Sequence, residues 1–469
     1  MSIGGNVYKM RFMAIVGDCP ALKLILNFIN HQGYYCCFFC EIRGEHIHHL
    51  HKRQYFHQDR LNLRDSKSFA EQSAEACRTG TNINGHLGIS IFTDLIDNPL
   101  PEGIMIDYLH VTLLRHAKSV FSVLYRRLKP SERKILDEKF RNQSMPHYYH
   151  RKLRPLSDLA YAKGTELRNN LFYAILPLLI DHLPMELLAH LALYVCAIRL
   201  WHSFPIFGDQ TSEVAAELFS LYYRDHHLFY SGLQNFVLHI HSHLEQQYKN
   251  FGALSFTSTF AQEDFVGYLS GNRHGSRHHG DLITYYYSID FALHNKMAEN
   301  TNVTDGLFDE DRNFNIDSIR EIQHQHSKSC GCESLFLCVR IFRRCRLNQK
   351  IYHSSIYSRS KKSNSFFVRY KDESEFKHGR IELFFSFDKK MYALIHHHHR
   401  VSMFSERFKS STYYSFLKEP IDYFFSILQR KSSLSIECIP IDAIETHVIV
   451  FEFDEFLITT SVIDQYEHD

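Results

Sequence analysis

Gly17-Asp18-Cys19-Pro20-Ala21, followed by His31-Gln32-Gly33-Tyr34-Tyr35-Cys36-Cys37-Phe38-Phe39-Cys40, is the stretch on which the fold of this chain turns. Lys9 to Gly17 ahead of it is short and mostly apolar and ends at a carboxylate and a proline. That is the pattern of a buried strand delivering Asp18 at its C-terminal end. Ala21 to Asn30 reads as a helix. Cys37 and Cys40 then stand at the two-residue spacing that lets two thiolates grip one tetrahedral zinc ion from a tight turn. The seventeen residues before Asp18 contain neither Asp nor Glu, so the expectation is an incomplete carboxylate site.

The complement of such a cysteine pair is two imidazoles one helical turn apart. His239 and His243, in His239-Ile240-His241-Ser242-His243, supply them on one face, with His241 turned away. Taken alone, the two pairs read more simply as buried thiols and satisfied helix histidines. Their context argues for a metal. Asp18 lies 19 residues before Cys37 and Glu263 lies 20 residues after His243, so each half of the zinc site is tied to one carboxylate. Two carboxylates brought together are what a hard Mg²⁺ site for phosphodiester chemistry requires.

Composition narrows the classes. With 44% hydrophobic and 22% charged residues the chain is globular, and a net charge of +1 rules out a uniformly basic coat. Nucleic-acid affinity would have to come from local patches. The start, Met-Ser-Ile-Gly-Gly-Asn-Val, lacks the basic and apolar regions of a secretory signal. Leu171 to Trp201 is interrupted by Pro177, Asp181, His182, Pro184, Glu186 and His190, and reads as two core helices, not a membrane span. Eleven unevenly spaced cysteines fit thiols or metal ligands in a reducing compartment better than disulfides.

Taken together, the motifs resemble the CACTA (En/Spm-type) transposases, whose catalytic core is similar to that of the RAG recombinase. The resemblance runs from about Val16 to Ser288. It rests on Gly17-Asp18-x-Pro20-Ala21, Gly33-Tyr34-Tyr35-x-Cys37-x-x-Cys40, Gly88-Ile89-Ser90, Ile106-Asp107-Tyr108-Leu109-His110, Arg154-Pro155 with Lys163-x-x-Glu166, Leu238-His239-x-x-x-His243-Leu244, Gly252-x-Leu254 and Phe260-x-x-Glu263. It implies an RNase H-like sheet interrupted by a helical insertion, with three carboxylates holding two Mg²⁺ ions for DNA cleavage and strand transfer. Asp18 would be the second carboxylate and Glu263 the third, with Cys37, Cys40, His239 and His243 as ligands of a structural zinc. The family's first Asp belongs on a strand upstream of Asp18, so the expectation is a truncated, inactive enzyme. Val237 stands where the family has Asn, and Ser255 where Trp is common.

The expected fold is α+β. Its parts are a remnant of the RNase H-like core with the cysteine pair (1–45), an irregular His-rich segment (46–105), a helical insertion (106–230), the zinc-histidine helix with the Glu263 segment (231–300), a linker (301–333) and a small β-rich C-terminal domain (334–469). Asp107 and His110 read first as a helix N-terminus and second as positioning groups near the carboxylates. Between Glu333 and Asp372 there is no acidic residue, while Arg340, Arg343, Arg344, Arg346, Lys350, Lys361 and Lys362 are all basic. With Arg273 and Arg277 they are the candidate contacts to a DNA backbone, weighed against a solvated charged face. Cys330, Cys332, Cys338 and Cys345 fit no zinc spacing well and read as buried thiols. Double-stranded DNA is the expected partner, alongside a second copy of the chain, and the nucleus the expected location; no membrane or small-molecule substrate is expected. The alternative is a non-catalytic, zinc-stapled DNA-binding or protein-interaction module.

Overall fold

Ile15–Gly17 (β1) runs parallel to Ile104–Ile106 (β2), in register Ile15 to Ile104 and Gly17 to Ile106. The next residue after each strand is an aspartate, so Asp18 and Asp107 emerge side by side at the same end of the pair. The computed structural model that defines these elements describes residues 9, 11–272, 277–298, 304–312, 320–330, 332, 338–357, 363–373, 375–430 and 436–462, and the backbone of 2–3 and 6–7. Cys19–Ile25 (α1) follows β1, with Asp18 as its N-cap: the Ala21 amide donates to Asp18 Oδ1 at 2.8 Å, and Pro20 occupies the first turn, where no amide is needed. The helix stops short of the expected Asn30 because Asn27 takes the left-handed conformation, φ +50°.

The segment read as irregular and His-rich (46–105) departs from that expectation in its middle. Ser66–Thr79 (α2) is a regular helix opened by a reciprocal cap between Asp65 and Ser68 and closed by Gly80 at φ +66°. The signal was present in Asp65-x-x-Ser68 and Gly80, but serine in place of glutamate at the third position hid the capping box.

The helical body contains Lys118–Arg127 (α3), Pro130–Asn142 (α4), Met185–His202 (α5) and Thr211–Phe229 (α6). Pro130 occupies the first position of α4, which separates α4 from α3. Every residue of α5 from Leu187 to His202 is buried, which explains why it is apolar on all sides. Among the described residues no helix is long and apolar enough to cross a membrane. Phe236–Ile240 (α7) and Leu244–Phe251 (α8) then flank a tightened turn at His241–His243. Phe260–Gly271 (α9) and His279–Ala298 (α10) complete this half.

The chain is α+β, with an eleven-stranded sheet among the described residues of its C-terminal half. The sheet begins at Gly306–Glu310 (β3), inside the segment read as linker, and Arg320–Ser329 (α11) follows before Arg340–Leu347 (β4) and Lys350–His353 (β5). The remaining strands are Phe367–Asp372 (β6), Glu375–Phe387 (β7), Lys390–His398 (β8), Arg400–Met403 (β9), Phe425–Gln429 (β10), Ile436–Pro440 (β11), Ile444–Glu452 (β12) and Phe456–Ser461 (β13). Their order is β9-β10-β13-β12-β6-β7-β8-β11, with β4 paired to β7 and carrying β3 and β5; the pairings are antiparallel. The β-branched and aromatic runs at 367–370, 380–385 and 447–452 lie on β6, β7 and β12.

This sheet and the helical body share a core. Tyr414–Phe424 (α12) and the side chains of Phe425, Ile427, Ile449 and Ile458 pack into the same cluster as α5. Arg199 on α5 is completely buried at the junction. It donates to Phe172 O at 2.7 Å, Thr460 Oγ1 at 3.0 Å and Ser461 O at 3.2 Å, and lies 4.1 Å from the Phe424 ring centre. Arg199→Ala removes those donors, leaves two carbonyls unsatisfied and opens a cavity; unfolding titrations are expected to find a loss of about 3 kcal/mol. An unchanged midpoint would mean the two halves do not depend on this junction.

Candidate metal centre

Cys37 and Cys40 sit on a tight turn whose carbonyls face Arg64. The fully buried Arg64 Nε donates to Cys37 O at 3.1 Å and Cys40 O at 3.2 Å, and its two terminal nitrogens donate to Gln72 on α2 and to Asn84 O. One guanidinium thus bolts the turn to the helix that was missing from the expected fold. Cys36 points away and donates to the Tyr55 hydroxyl at 2.9 Å. From the other side α7 and the turn after it bring His239 and His243 inward. His241 turns away, its Nδ1 donating to Val237 O at 2.7 Å and its Nε2 lying 3.1 Å from Thr112 Oγ1.

The four side chains meet. Cys37 Sγ lies 3.3 Å from His243 Nε2 and Cys40 Sγ 3.3 Å from His239 Nε2, all four ligand atoms lie within 4.8 Å of one another, and all four residues are buried. A tetrahedral zinc with Zn–S of about 2.3 Å and Zn–N of about 2.0 Å requires S···N edges of roughly 3.5 Å, so the donor set and its spacing fit the ion. Burial alone would raise the Cys37 thiol, but its hydrogen bond with Cys40 and the facing His243 and His239 overturn this and hold it well below the usual thiol range. Burial lowers His239, which favours the neutral imidazole a metal needs.

Three carboxylates gather around His110. Thr259 precedes α9, whose first turn carries Glu263, and its carbonyl accepts from the Glu263 amide at 2.8 Å. Buried Asp107, at the end of β2, does two things at once. Its Oδ1 accepts from the Leu109 amide at 2.9 Å, starting the helix after β2, and from the Thr259 amide at 3.3 Å, while its Oδ2 accepts from Thr259 Oγ1 at 2.8 Å. The helix-start reading of Asp107 is borne out, and the same carboxylate also holds Thr259, just ahead of the helix that carries Glu263. His110 Nδ1 lies 2.5 Å from Asp107 Oδ2, and its Nε2 reaches Glu263 Oε1 at 4.0 Å. The Asp107 hydrogen bond holds His110 above the usual imidazole range against burial, with the charges of Asp107, Asp18 and Glu263 adding to it. A cavity of about 590 Å³ opens here, lined by Asp18 and His110 together with the cationic Lys52, Arg53 and Arg115. Arg154 and Glu166, both in the quoted motifs, form a two-pronged ion pair at 2.9 and 3.0 Å that braces the helical body.

Asp18 and Glu263 belong to neither of the groups that bring three or more ligand atoms together among the described residues. The second such group is His326, Cys330, Cys332 and Cys338, which could also hold a metal such as zinc. Reading these thiols as ordinary buried cysteines missed it, because the fourth ligand is a histidine on α11 and the spacing follows no familiar pattern. Cys345 is not a member; it is buried on β4 against Tyr352.

Among the candidate DNA contacts, three arginines are already paired. Arg340 meets Glu310 at 2.8 Å, Arg343 meets Asp311 at 2.9 Å and Arg344 meets Asp309 at 3.2 Å, because β3 brings an acidic strand alongside β4. The stretch is free of acids in sequence, but three of its arginines meet carboxylates in space. Arg346 and Lys350 flank the β4–β5 turn, and Arg277 is exposed ahead of α10. Arg273, Lys361 and Lys362 lie outside the described residues. A scan of protein-family models, a search of curated proteins and a search of solved structures each found no match to the chain.

Proposed function

We propose that this chain derives from a DDE-class DNA transposase of the CACTA (En/Spm-type) kind. In this reading β1 and β2 are parallel strands of an RNase H-like core, the helical body is its insertion, and Cys37, Cys40, His239 and His243 hold a structural zinc. The observation that carries it is the convergence of these four side chains from opposite ends of the insertion, and Asp18 and Glu263 both act on His110. Asp18 and Glu263 would hold Mg²⁺, which would supply Lewis-acid activation of water and of a 3′-hydroxyl. Asp107 orients His110 and fixes the start of α9, which brings Glu263 to 4.0 Å from the other nitrogen of His110. Lys52, Arg53 and Arg115 would receive the phosphates of double-stranded DNA, in the nucleus.

The 469 residues hold two of the three carboxylates that the resemblance names, so a polypeptide of this sequence is expected to bind duplex DNA without cutting it. With Mg²⁺ and supercoiled plasmid the purified chain should leave the substrate intact, while binding should weaken steeply as salt rises. Strong cleavage that Glu263→Ala abolishes would overturn the inactive reading. DNA binding indifferent to salt would overturn the DNA-partner reading. The non-catalytic module is favoured by one observation: Asp18 already serves as the cap of α1, a structural task that survives without chemistry.

A further inference from the structure

We propose that His326, Cys330, Cys332 and Cys338 form a second zinc site, which staples helix α11 to the start of strand β4. His326 Nε2 lies 3.1 Å from Cys332 Sγ and Cys330 Sγ lies 3.6 Å from Cys338 Sγ, with all four ligand atoms within 4.8 Å of one another. The S···S separation matches the roughly 3.5–3.8 Å edges of a tetrahedron built on Zn–S and Zn–N bonds, and the S···N separation is about 0.4 Å shorter than its edge. Three thiolates and one imidazole form a closed, soft donor set that suits zinc and leaves no position open for substrate.

The local structure prepares the site. His326 and Cys330 stand one turn apart at the end of α11, where the Cys330 amide still donates to His326 O at 2.8 Å. The C-terminal end of a helix carries partial negative charge, which favours a cation there. Cys338 lies two residues before β4, and Cys330 and Cys338 pack against the cluster formed by Ile322, Ile341, Leu383 and Leu394. Helix α11 is the crossover between β3 and β4, and Ile322 is the residue by which it enters that cluster. A metal at its end closes the crossover and sets the register at which β3 presents Glu310 to Arg340. Binding displaces thiol protons and requires no oxidant.

The centre differs from the first in its setting. Its ligands come from one short segment, with Cys332 exposed and Cys330 and Cys338 partly buried, whereas Cys37 and Cys40 are fully buried. Metal analysis of the full chain, purified under reducing conditions with zinc supplied, separates the two. The expected content is about two zinc ions per chain, falling to about one in Cys332→Ser and again to about one in Cys338→Ser. Cobalt substitution of the unaltered chain gives an independent readout, since the thiolate-to-cobalt absorption should be the sum of a three-thiolate and a two-thiolate site. Amide exchange over Arg320–Ser329 should quicken at least tenfold in Cys332→Ser while that of Ile15–Gly17 is unchanged. A content of one zinc that Cys332→Ser leaves in place, or a Cys330–Cys338 disulfide in the reduced preparation, would overturn the assignment.

Discussion

Cys37→Ser is expected to remove one equivalent of zinc and to lower the unfolding free energy by about 5 kcal/mol or more. The ion would join Cys40 to His239, 199 residues apart, and a cross-link closing a loop of that size is worth about 5 kcal/mol in chain entropy alone. The loss of metal–ligand bonding adds to it, because the binding free energy of a structural zinc is folding free energy. Against a total stability on the order of 5–15 kcal/mol, the variant should be largely unfolded in its N-terminal half. Metal analysis together with urea titration checks this. Retention of the full zinc content, or an unmoved midpoint, would show that these four residues do not hold the ion.

Acidification should destabilise the chain steeply between pH 7 and pH 5. Burial lowers His86, His190 and His378 to about 3, and pushes His116 and His226 well down as well. In the unfolded chain these imidazoles titrate near 6.5. Below that pH the unfolded state binds protons that the folded state refuses, so stability is full above about 6.5 and is lost as pH falls toward 3. At pH 5 each such histidine costs about 2 kcal/mol, and several together approach the whole stability of the fold. His190 isolates the effect from the metal ligands: its Nε2 donates to Tyr222 O at 3.0 Å, a bond a glutamine amide can replace. His190→Gln should therefore shrink the stability difference between pH 7 and pH 5 by about 2 kcal/mol. An identical pH dependence in the variant would refute the account.

The parts of this architecture that were legible beforehand are those set by short-range spacing. Cys37-x-x-Cys40 and His239-x-x-x-His243 place two ligands on one turn and two on one helical face whatever surrounds them, and the turned-away His241 follows from the same geometry. The strand runs, the break at Pro130 and the apolar α5 follow from local periodicity. The helix at Ser66–Thr79 was within reach of the same reasoning and was lost only because its cap is Asp65 with Ser68.

The rest depends on partners far away in sequence, whose meeting no local pattern encodes. Arg340, Arg343 and Arg344 form a bare basic run until antiparallel pairing lays Asp309, Glu310 and Asp311 beside them. Asp107 looks like a helix start until packing delivers Thr259, 152 residues on, to its other oxygen. Arg64 gains its meaning from two cysteine carbonyls, and His326 from three thiols that a helix end and a strand start bring within reach. Spacing along the chain dictates which side chains share a face, because the backbone geometry of a turn or helix is fixed within a few residues. Which faces then meet is decided by burial of the shared core, and it is there that charges are neutralised, carboxylates are oriented and the second set of metal ligands is assembled.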